Sequence, residues 1–420
     1  MKIGIIGLGD MGKMFARIWS AKSFEVYGCD LPENREKLTE ELADTNIRIL
    51  DDGVAISRLC DFIIYAVEAE KIEQVVKAFG PSTKFGAIVS GQTSVKSPEI
   101  EAFNKHLPSD TQIVGSHALY GPNVNPEGQT IVVFNHRATP EAFQEAIEVY
   151  QALGSVIEVL ESHAEHDKMM ADIQVVTHIG FESIGTAFMH RKVFPWENGE
   201  LNHGMDNIKL LLTLRIFSYK HHVYSGLAML NPFAKTDVRK YAKAENELFG
   251  MMITENKNKL RSRVLKARDK VFKDKKSILM LDDTFMNEYS LNNKFIHKPN
   301  SHLSLLSMVC TWSDLNTNPY KNLVCQTPPF KLRVGLSEYL FLNDDLLEES
   351  LNAALYDKSI LEDDLAFHTA VHEWANIVEI GDKKSYEKHF EATKHFLSPR
   401  LEEGRAKSNE LIERLNQLNK

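Results

Sequence analysis

One histidine stands where the chain could exchange a proton with a small molecule. Ile113 to Ser116 is an apolar run that predicts a buried strand, and His117 follows it just before the loop-forming pair Gly121-Pro122. Ligands bind at the carboxyl ends of strands in an open parallel sheet, and imidazole exchanges protons near neutral pH. Taken alone, such a histidine is more often a structural, hydrogen-bonded residue, so the assignment of His117 as a base depends on the residues around it.

A serine follows a second predicted strand. Ala87 to Ser90 predicts this strand, and the polar segment from Gly91 to Lys96 that comes next contains Ser94. Its hydroxyl could hydrogen-bond a substrate hydroxyl or hold an imidazole, although a serine at such a place is commonly a turn or helix-cap residue. We take His117 and Ser94 together as the candidate catalytic residues.

A glycine-rich loop precedes both of them in the chain. Lys2 to Ile6 predicts a short strand, and an amphipathic stretch through Trp19 predicts the helix that follows the loop. Strand, GxGxxG and helix in this order form the dinucleotide-binding fingerprint, in which the helix N-terminus faces a pyrophosphate. A second strand, Val26 to Cys29, ends at Asp30, where a carboxylate would hold the adenosine ribose. The candidate cofactor-binding residues are Gly7, Leu8, Gly9, Asp10, Met11, Gly12 and Asp30.

The elements that must position these residues alternate between strand and helix. Further β-rich runs lie at 62–66, 131–134 and 156–160, with helical stretches at 68–79 and 140–153. This alternation predicts an α/β, Rossmann-type doubly wound sheet, which is followed by an all-α C-terminal region. The predicted domains are 1–160, which binds the dinucleotide, 161–275, a helical substrate domain, and 276–420, a second helical unit.

Composition narrows the functional classes. The chain has 420 residues and a formal net charge of -9, which argues against a nucleic-acid or anionic-membrane surface. Its four cysteines show no metal-ligand spacing and are typical of reduced thiols in a cytoplasmic protein. No apolar run is long enough to cross a bilayer. We therefore expect a cytoplasmic protein that binds small molecules and neither nucleic acid nor membrane.

Several segments together resemble a known family, the prephenate dehydrogenases of tyrosine biosynthesis. The resemblance runs from Met1 past Asn258, and the chain length with its extra C-terminal segment is similar to the fungal, NADP-linked branch. Bacterial relatives usually have His-Pro-Met where this chain has His117-Ala118-Leu119, which changes the stiffness of the loop but keeps the imidazole. The matching segments are Ser94-Val95-Lys96, His117 with Tyr120-Gly121-Pro122, Glu165-His166-Asp167-Lys168, and Thr177-His178.

The resemblance implies an activity and roles for individual residues. It places the family's active-site serine on Ser94, its catalytic histidine on His117, and two further site histidines on His166 and His178. The implied reaction oxidises prephenate with loss of CO2, so one histidine must accept a proton while the cofactor accepts a hydride. This chemistry needs no metal and no covalent nucleophile, and the sequence suggests none.

Both ligands that the resemblance implies are anions, so cations are expected near them. Asp30 suits the free ribose of NAD, but the resemblance implies NADP, with Arg35 as the nearest downstream cation for a 2′-phosphate. We expect NADP, with NAD as the alternative. Prephenate is a dianion, and arginine binds carboxylates well. Arg239 matches the family's carboxylate arginine when counted back from Glu255-Asn256-Lys257, and Arg215 is a second candidate within an apolar run.

The two further histidines are predicted to share a long helix. Ser162 to Glu165 is a capping box, so we expect this helix to begin near His163. Along its axis His166 and His178 would lie roughly 18 Å apart, and the two cannot contact one atom. Taken alone, His166 is more often a solvated first-turn residue, and a core position is an equal alternative for His178.

The C-terminal region repeats part of itself. Because bacterial relatives pair their helical domains as dimers, we expect a monomer that contains an internal pseudo-dimer, with a homodimer as the alternative. In the predicted second copy the cation is lost, since Ala354 falls opposite Arg239. Two unrelated helical hairpins would explain the similarity equally well. The predicted equivalent pairs are Thr177-His178 with Ser301-His302, Asn207 with Asn322, and Tyr241 with Tyr356.

Two other functional classes stay open. The β-hydroxyacid dehydrogenases also begin Gly-Leu-Gly-x-Met-Gly, but they use a lysine on the interdomain helix, and residues 172–180 hold no comparable glycine-rich lysine motif. A non-catalytic NAD(P)-sensing protein would need the dinucleotide fingerprint without the histidine and serine.

Overall fold

The computed structural model describes residues 1–122, 124–197, 204–273, 280–290 and 299–418. The chain forms two compact units, of which the first comprises Met1–Lys168 with Leu230–Pro232, and the second comprises Met169–Met229 with Phe233–Lys420. The predicted boundary after residue 160 therefore precedes the end of the first unit. The predicted boundary after residue 275 lies outside the described residues.

The first unit is built on one eight-stranded sheet. Its order is β3-β2-β1-β4-β5-β6-β7-β8. The strands are β1 Lys2–Ile6, β2 Glu25–Cys29, β3 Arg48–Ile49, β4 Phe62–Tyr65, β5 Ile88–Gly91, β6 Gln112–Ala118, β7 Thr130–Arg137 and β8 Val156–Val159. Its helices are α1 Asp10–Ala21, α2 Arg35–Glu41, α3 Gly53–Leu59, α4 Ile72–Phe79, α5 Lys96–His106, α6 Pro140–Gln151 and α7 His163–Met170, which extends two residues beyond the unit.

The predicted doubly wound α/β sheet is confirmed, with one antiparallel pair. All neighbouring strands run parallel except β6 and β7. A parallel crossover needs a dozen or more residues, usually with a helix, whereas the described part of the short link between β6 and β7 holds no helix. The chain therefore returns beside β6 in the opposite direction. All of β4 is buried, as expected for a central strand covered on both faces.

Aromatic side chains close the core of this unit. Trp19 on α1 is fully buried and donates its indole N–H to the carbonyl of Val149 at 2.8 Å. Its ring contacts those of Phe15, Phe62 and Tyr150. Since α1 follows the glycine-rich loop directly, these contacts fix the helix whose N-terminus the loop precedes.

The second unit is helical in its described residues, which confirms the predicted all-α region. Its helices are α8 Val176–Arg191, α9 Gly204–Ser218, α10 His222–Leu230, α11 Ala234–Ile253, α12 Lys257–Val271, α13 Asp283–Glu288, α14 Leu303–Leu315, α15 Pro328–Leu342, α16 Asp344–Tyr356, α17 Leu361–Ile380, α18 Lys383–Leu397 and α19 Leu401–Leu418. A π-helical turn, Ala171–Val175, precedes α8. Within the described residues, every helix is too short or too polar to cross a membrane.

The helical unit contains an internal duplication. Helices α9 and α15 are both 15 residues long, α11 and α17 are both 20, and α12 and α18 are both 15. Helices α8 and α14 both end at a residue in the left-handed conformation, Lys192 and Asn316, and the first residues of α9 and α15 have the same spacing in the chain. The two halves therefore follow one another in the same order.

Packing relates the two copies by an approximate two-fold arrangement. Helix α8 packs on α17, and its counterpart α14 packs on α11. The counterparts α11 and α17 also pack on each other. This exchange is the pattern of a two-fold dimer, here formed within one chain.

The observed spacing corrects part of the predicted alignment of the copies. The pair Thr177-His178 with Ser301-His302 fits it, but Asn207 with Asn322 and Tyr241 with Tyr356 do not. The spacing instead pairs Lys209 with Arg333, so the second copy has an arginine after all. The earlier alignment failed because similar apolar residues recur every turn of a helix and fit several registers.

Candidate active site

The glycine-rich loop is shaped to bring backbone close to a ligand. Gly7 has φ of 100°, a left-handed conformation that favours glycine. A Cβ on Gly12 would lie 2.0 Å from the carbonyl oxygen of Gly7, whereas one on Gly9 would meet nothing within 4 Å. Helix α1 begins after Gly9 without a side-chain cap, so its first N–H groups are available to an anion. These features fit the pyrophosphate of a dinucleotide.

Asp30 is drawn towards this loop. Its carboxylate accepts the N–H of Leu8 at 2.6 Å and that of Leu31 at 2.8 Å, and it also accepts the side-chain amide of Asn34 at 2.7 Å. Arg35 is half-exposed and its printed ion pair is with Asp51, so the pairing of Asp30 with Arg35 that the sequence suggested is not observed. Asp30 therefore orders the loop, and the guanidinium lies on the surface.

His117 is joined to a chain of hydrogen bonds in the first unit. It lies on β6 at its carboxyl end, and its Nδ1 is 3.0 Å from Nε2 of His166. Nδ1 of His166 is in turn 2.9 Å from the carboxylate of Asp167. The structure thus brings together two of the predicted site histidines and adds an aspartate that the prediction omitted.

The order of these contacts assigns the proton positions. A carboxylate only accepts, so Nδ1 of His166 donates to Asp167, and in the neutral ring Nε2 is left as an acceptor. His117 must then donate from Nδ1, and the lone pair is on its Nε2. The relay therefore leaves His117 with a free basic nitrogen, the state that a general base requires.

Desolvation keeps this pair of rings neutral. Removal from water, the nearby His166 and the charge of Lys96 hold the pKa of His117 well below its ordinary value. Burial also lowers the pKa of His166, although the hydrogen bond to Asp167 opposes the shift. For Asp167, burial opposes ionisation, but the bonds from His166, Lys96 and Ser97 outweigh it and its pKa is lowered.

Asp167 ties the relay to the start of α5. Its two carboxylate oxygens accept the backbone N–H groups of Lys96 at 2.7 Å and Ser97 at 2.8 Å, and one of them also accepts the Ser97 hydroxyl at 2.6 Å. Asn231 donates its side-chain amide to the carbonyl of Asp167 at 2.8 Å. The available signal for this residue was its position beside His166 in a segment that matches the family.

Ser94 occupies the bend between β5 and α5 and is half-buried. Among the described residues, no hydrogen bond joins it to His117, whose imidazole is held by His166 instead. Of the two tasks predicted for Ser94, orientation of the imidazole therefore falls to His166. Both ring nitrogens of His166 are occupied and its side chain is fully buried, so it has no ring nitrogen left for a substrate.

The second unit holds a buried arginine that the prediction missed. Arg333 on α15 is 3% exposed, and its Nη1 donates to the hydroxyl of Thr177 at 2.9 Å. Its guanidinium lies over the rings of Phe181 and Phe330, and the ring of His178 is 5.7 Å from that of Phe330. The sequence signal was an arginine inside an apolar helical run.

Arg333 is a cation without a matching carboxylate among the described residues. Its Nε is buried and makes no hydrogen bond, and no acidic group within the described ranges pairs with it. Burial lowers its pKa to about 10, so it stays protonated at neutral pH, and burial together with its charge lowers the pKa of His178. A buried, unneutralised cation is costly unless an anion binds to it.

The two arginines chosen from the sequence lie in different surroundings. Arg215 on α9 is half-buried, and its charge contributes to the lowered pKa of Arg333, although its hydrogen bonds run to Asn409 and Ser408. Arg239 on α11 has a side chain that is 65% exposed and is paired with Glu379. The structure thus brings Arg215, but not Arg239, near the cluster of His178 and Arg333.

Comparisons with known proteins agree with these features. A family described as prephenate dehydrogenase, nucleotide-binding domain, matches residues 17–159, and one described as 6-phosphogluconate dehydrogenase C-terminal domain matches residues 175–417. The chain is 43% identical to the prephenate dehydrogenase (NADP+) of Saccharomyces cerevisiae, with 98% of this chain and 93% of the relative covered. It is 40% identical to a probable prephenate dehydrogenase (NADP+) of Schizosaccharomyces pombe, with 99% and 97% covered.

A solved structure shares the fold. The prephenate dehydrogenase of Aquifex aeolicus, bound to hydroxyphenyl propionate and NAD+, aligns with a TM-score of 0.53 over 66% of this chain and 98% of its own, at 17% identity. At this identity the likeness concerns the fold alone. The two near full-length relatives, together with the dinucleotide loop and the histidine relay, show that the chain belongs to the prephenate dehydrogenase family.

Proposed function

We propose that the protein converts prephenate to 4-hydroxyphenylpyruvate and CO2 with NADP+ as the hydride acceptor. The observation that carries this proposal is the relay that leaves Nε2 of His117 neutral and unprotonated. This nitrogen takes the proton of the ring hydroxyl while the carbon that bears it loses hydride. The ring carboxylate then leaves as CO2, and its bonding electrons complete the aromatic ring. NADP+, when bound, supplies the acceptor for the hydride.

The other site residues support this step. We propose that Ser94 hydrogen-bonds the ring hydroxyl, that His166 and Asp167 orient His117, and that His178 and Arg333 bind a substrate carboxylate. A guanidinium that is dehydrated and unneutralised needs no partner displaced before it accepts an anion. Arg215 remains a second candidate because of its charge near Arg333, whereas Arg239 is already paired with Glu379.

An assay with the purified chain tests the activity directly. Prephenate and NADP+ should give a rise in reduced-cofactor absorbance together with 4-hydroxyphenylpyruvate and CO2 in equal amounts. Turnover of a small β-hydroxyacid instead would support the first alternative class, and cofactor binding without turnover of prephenate would support a sensing protein. Either result would overturn the proposal.

The choice of NADP+ leads to a prediction about Arg35. The names of the two yeast relatives support NADP+, and the exposed guanidinium of Arg35 follows Asp30 at the start of α2. Because one charge-assisted contact to the 2′-phosphate is worth about 1.5–3 kcal/mol, we expect Arg35→Ala to raise KM for NADP+ by about 10–100-fold and leave that for NAD+ unchanged. Arg17→Ala, which removes an exposed arginine from α1, is the control. Equal effects on both cofactors would contradict the assignment.

We also propose that the chain works as a monomer. The duplication supports this, since the second copy supplies within one chain the partner that a dimer would otherwise provide, and the entropy of association is not lost. Sedimentation velocity at micromolar concentrations should then give one species of about 47.7 kDa. A dimer that persists on dilution would contradict the proposal.

For its location we propose the cytoplasm. All four cysteines are buried and free, and burial raises the pKa of the Cys29 and Cys60 thiols to about 12. Unpaired thiols of this kind suit a reducing compartment.

A further inference from the structure

We propose that Glu245, His368 and His372 form a Zn2+ site that joins the two copies of the helical repeat. Glu245 lies on α11 in the first copy, and the two histidines lie one turn apart on α17 in the second. Each residue offers one ligand atom, and these atoms lie within 4.8 Å of one another. Two histidines and a glutamate are a known donor set for zinc, which takes nitrogen and oxygen ligands.

The distances between the donor atoms fit a tetrahedral ion. One carboxylate oxygen of Glu245 is 2.9 Å from Nδ1 of His368 and 3.6 Å from Nε2 of His372. Zinc bonds of about 2.1 Å at tetrahedral angles separate neighbouring ligand atoms by about 3.4 Å, a value between the two observed distances. Only small side-chain shifts are therefore needed to place an ion among the three atoms.

Burial and orientation favour a ligand here. The Glu245 side chain is fully buried, and its second carboxylate oxygen makes no hydrogen bond within the described part of the chain. Nε2 of His372 is likewise a buried atom without a hydrogen-bond partner there. The ring of His368 is stacked on Phe249 at 4.4 Å, which fixes the direction of its nitrogens. Two donor atoms thus converge on a third without satisfying one another.

The surrounding charge is negative. Asp364, also on α17, has a pKa raised to about 7 by burial, and the charge of Glu245 contributes to that rise. Burial raises the pKa of Tyr241, and Glu245 again contributes. A divalent cation bound to Glu245 would neutralise the carboxylate that causes both effects. The side chain of His372 is 38% exposed, so an ion can enter from that side and keep a water as its fourth ligand.

The position of the site follows from the duplication. Glu245 and His372 occupy the same position in two helices of 20 residues each, so they face each other where α11 and α17 pack. A metal held by both helices would resist their separation. We therefore expect zinc to act on the stability of the helical unit, and this expectation does not rest on the catalytic assignment.

Metal content of the full-length chain is the first test. After incubation with Zn2+ and gel filtration, elemental analysis should find one zinc per chain in the wild type and less than about a tenth of that in His368→Ala/His372→Ala. Glu245→Gln keeps nearly the same shape, and it should weaken zinc affinity by at least about 10-fold. The control is His190→Ala/His389→Ala, which removes the two histidines that approach the more exposed Glu373 and should keep the zinc.

Thermal unfolding is the second test. Zn2+ at about 100 times its Kd should raise the wild-type Tm by about 5 °C, EDTA should reverse the rise, and Mg2+, which prefers oxygen ligands, should have no effect. Glu245→Gln should show no rise with Zn2+ while retaining its helical circular dichroism. Wild-type protein that keeps no zinc, or site variants that keep as much as the wild type, would overturn the proposal and leave an ion pair between Glu245 and the histidines. Loss of zinc from the control variant alone would do the same.

Discussion

His117→Asn should lower kcat by about 10²–10⁴-fold, the usual contribution of a positioned general base. The asparagine amide can still donate to Nε2 of His166, which lies 3.0 Å from the imidazole nitrogen it replaces. It has no basic nitrogen to take the place of Nε2. The variant therefore keeps the relay but loses the proton acceptor, and its affinity for NADP+ should be unchanged.

The pH profile separates a lost base from a disturbed structure. In the wild type the pKa of His117 lies well below 6.5, so the imidazole is neutral throughout the neutral range. As pH falls through that lowered pKa, Nε2 becomes protonated and kcat/KM should fall, whereas His117→Asn should lack this acid limb. His136→Asn, which changes a histidine bonded to Asn104 on the surface, is the control. Turnover by His117→Asn close to the wild-type value would contradict the assignment.

Arg333→Met should raise KM for prephenate by about 10–100-fold, with little change in cofactor affinity. The guanidinium is buried and its described contacts include no carboxylate, so the loss of one charge-assisted bond to the substrate, about 1.5–3 kcal/mol, appears directly in binding. Methionine fills a similar apolar volume without charge. Because it removes a buried, unneutralised cation, the variant should be as stable as the wild type or more stable.

The duplication provides a matched control for this prediction. Lys209 is the counterpart of Arg333 in the first copy, but it is paired with Asp206 at 2.7 Å and lies 2.9 Å from Nδ1 of His302. Lys209→Met should therefore lower the Tm, because it leaves a buried carboxylate without its cation, and should leave KM for prephenate unchanged. Arg239→Ala should affect neither quantity. If Arg333→Met lowers the Tm and leaves KM unchanged, the arginine is structural.

The sequence predicted what depends on neighbouring residues. The order of strands and helices, the glycine-rich loop and the capping of α7 by Ser162 all follow from local patterns, and the structure has them. His117 and His166 could be chosen from family segments, but their direct contact could not. Asp167 was passed over because its value comes from hydrogen bonds to Lys96 and Ser97, far away in the chain.

Arg333 shows where local patterns stop. Its hydrogen-bond partner Thr177 lies 156 residues earlier, and only the packing of two helices brings them together. Periodicity shows that α15 is a helix but not which of its neighbours each side chain meets. The same limit explains why Arg239, which was found by counting along the chain, proved to be a surface residue. The repeat could be detected from a few similar residues, but its register needed the helix boundaries.

The fused repeat also changes what mutation can do. In a homodimer one gene encodes both halves, so every altered codon appears twice and the two sites must remain identical. Here each half has its own codons, and one position holds an unneutralised arginine while its counterpart holds a lysine neutralised by an aspartate. Selection can thus preserve substrate binding in one half and leave the other free to acquire a different task.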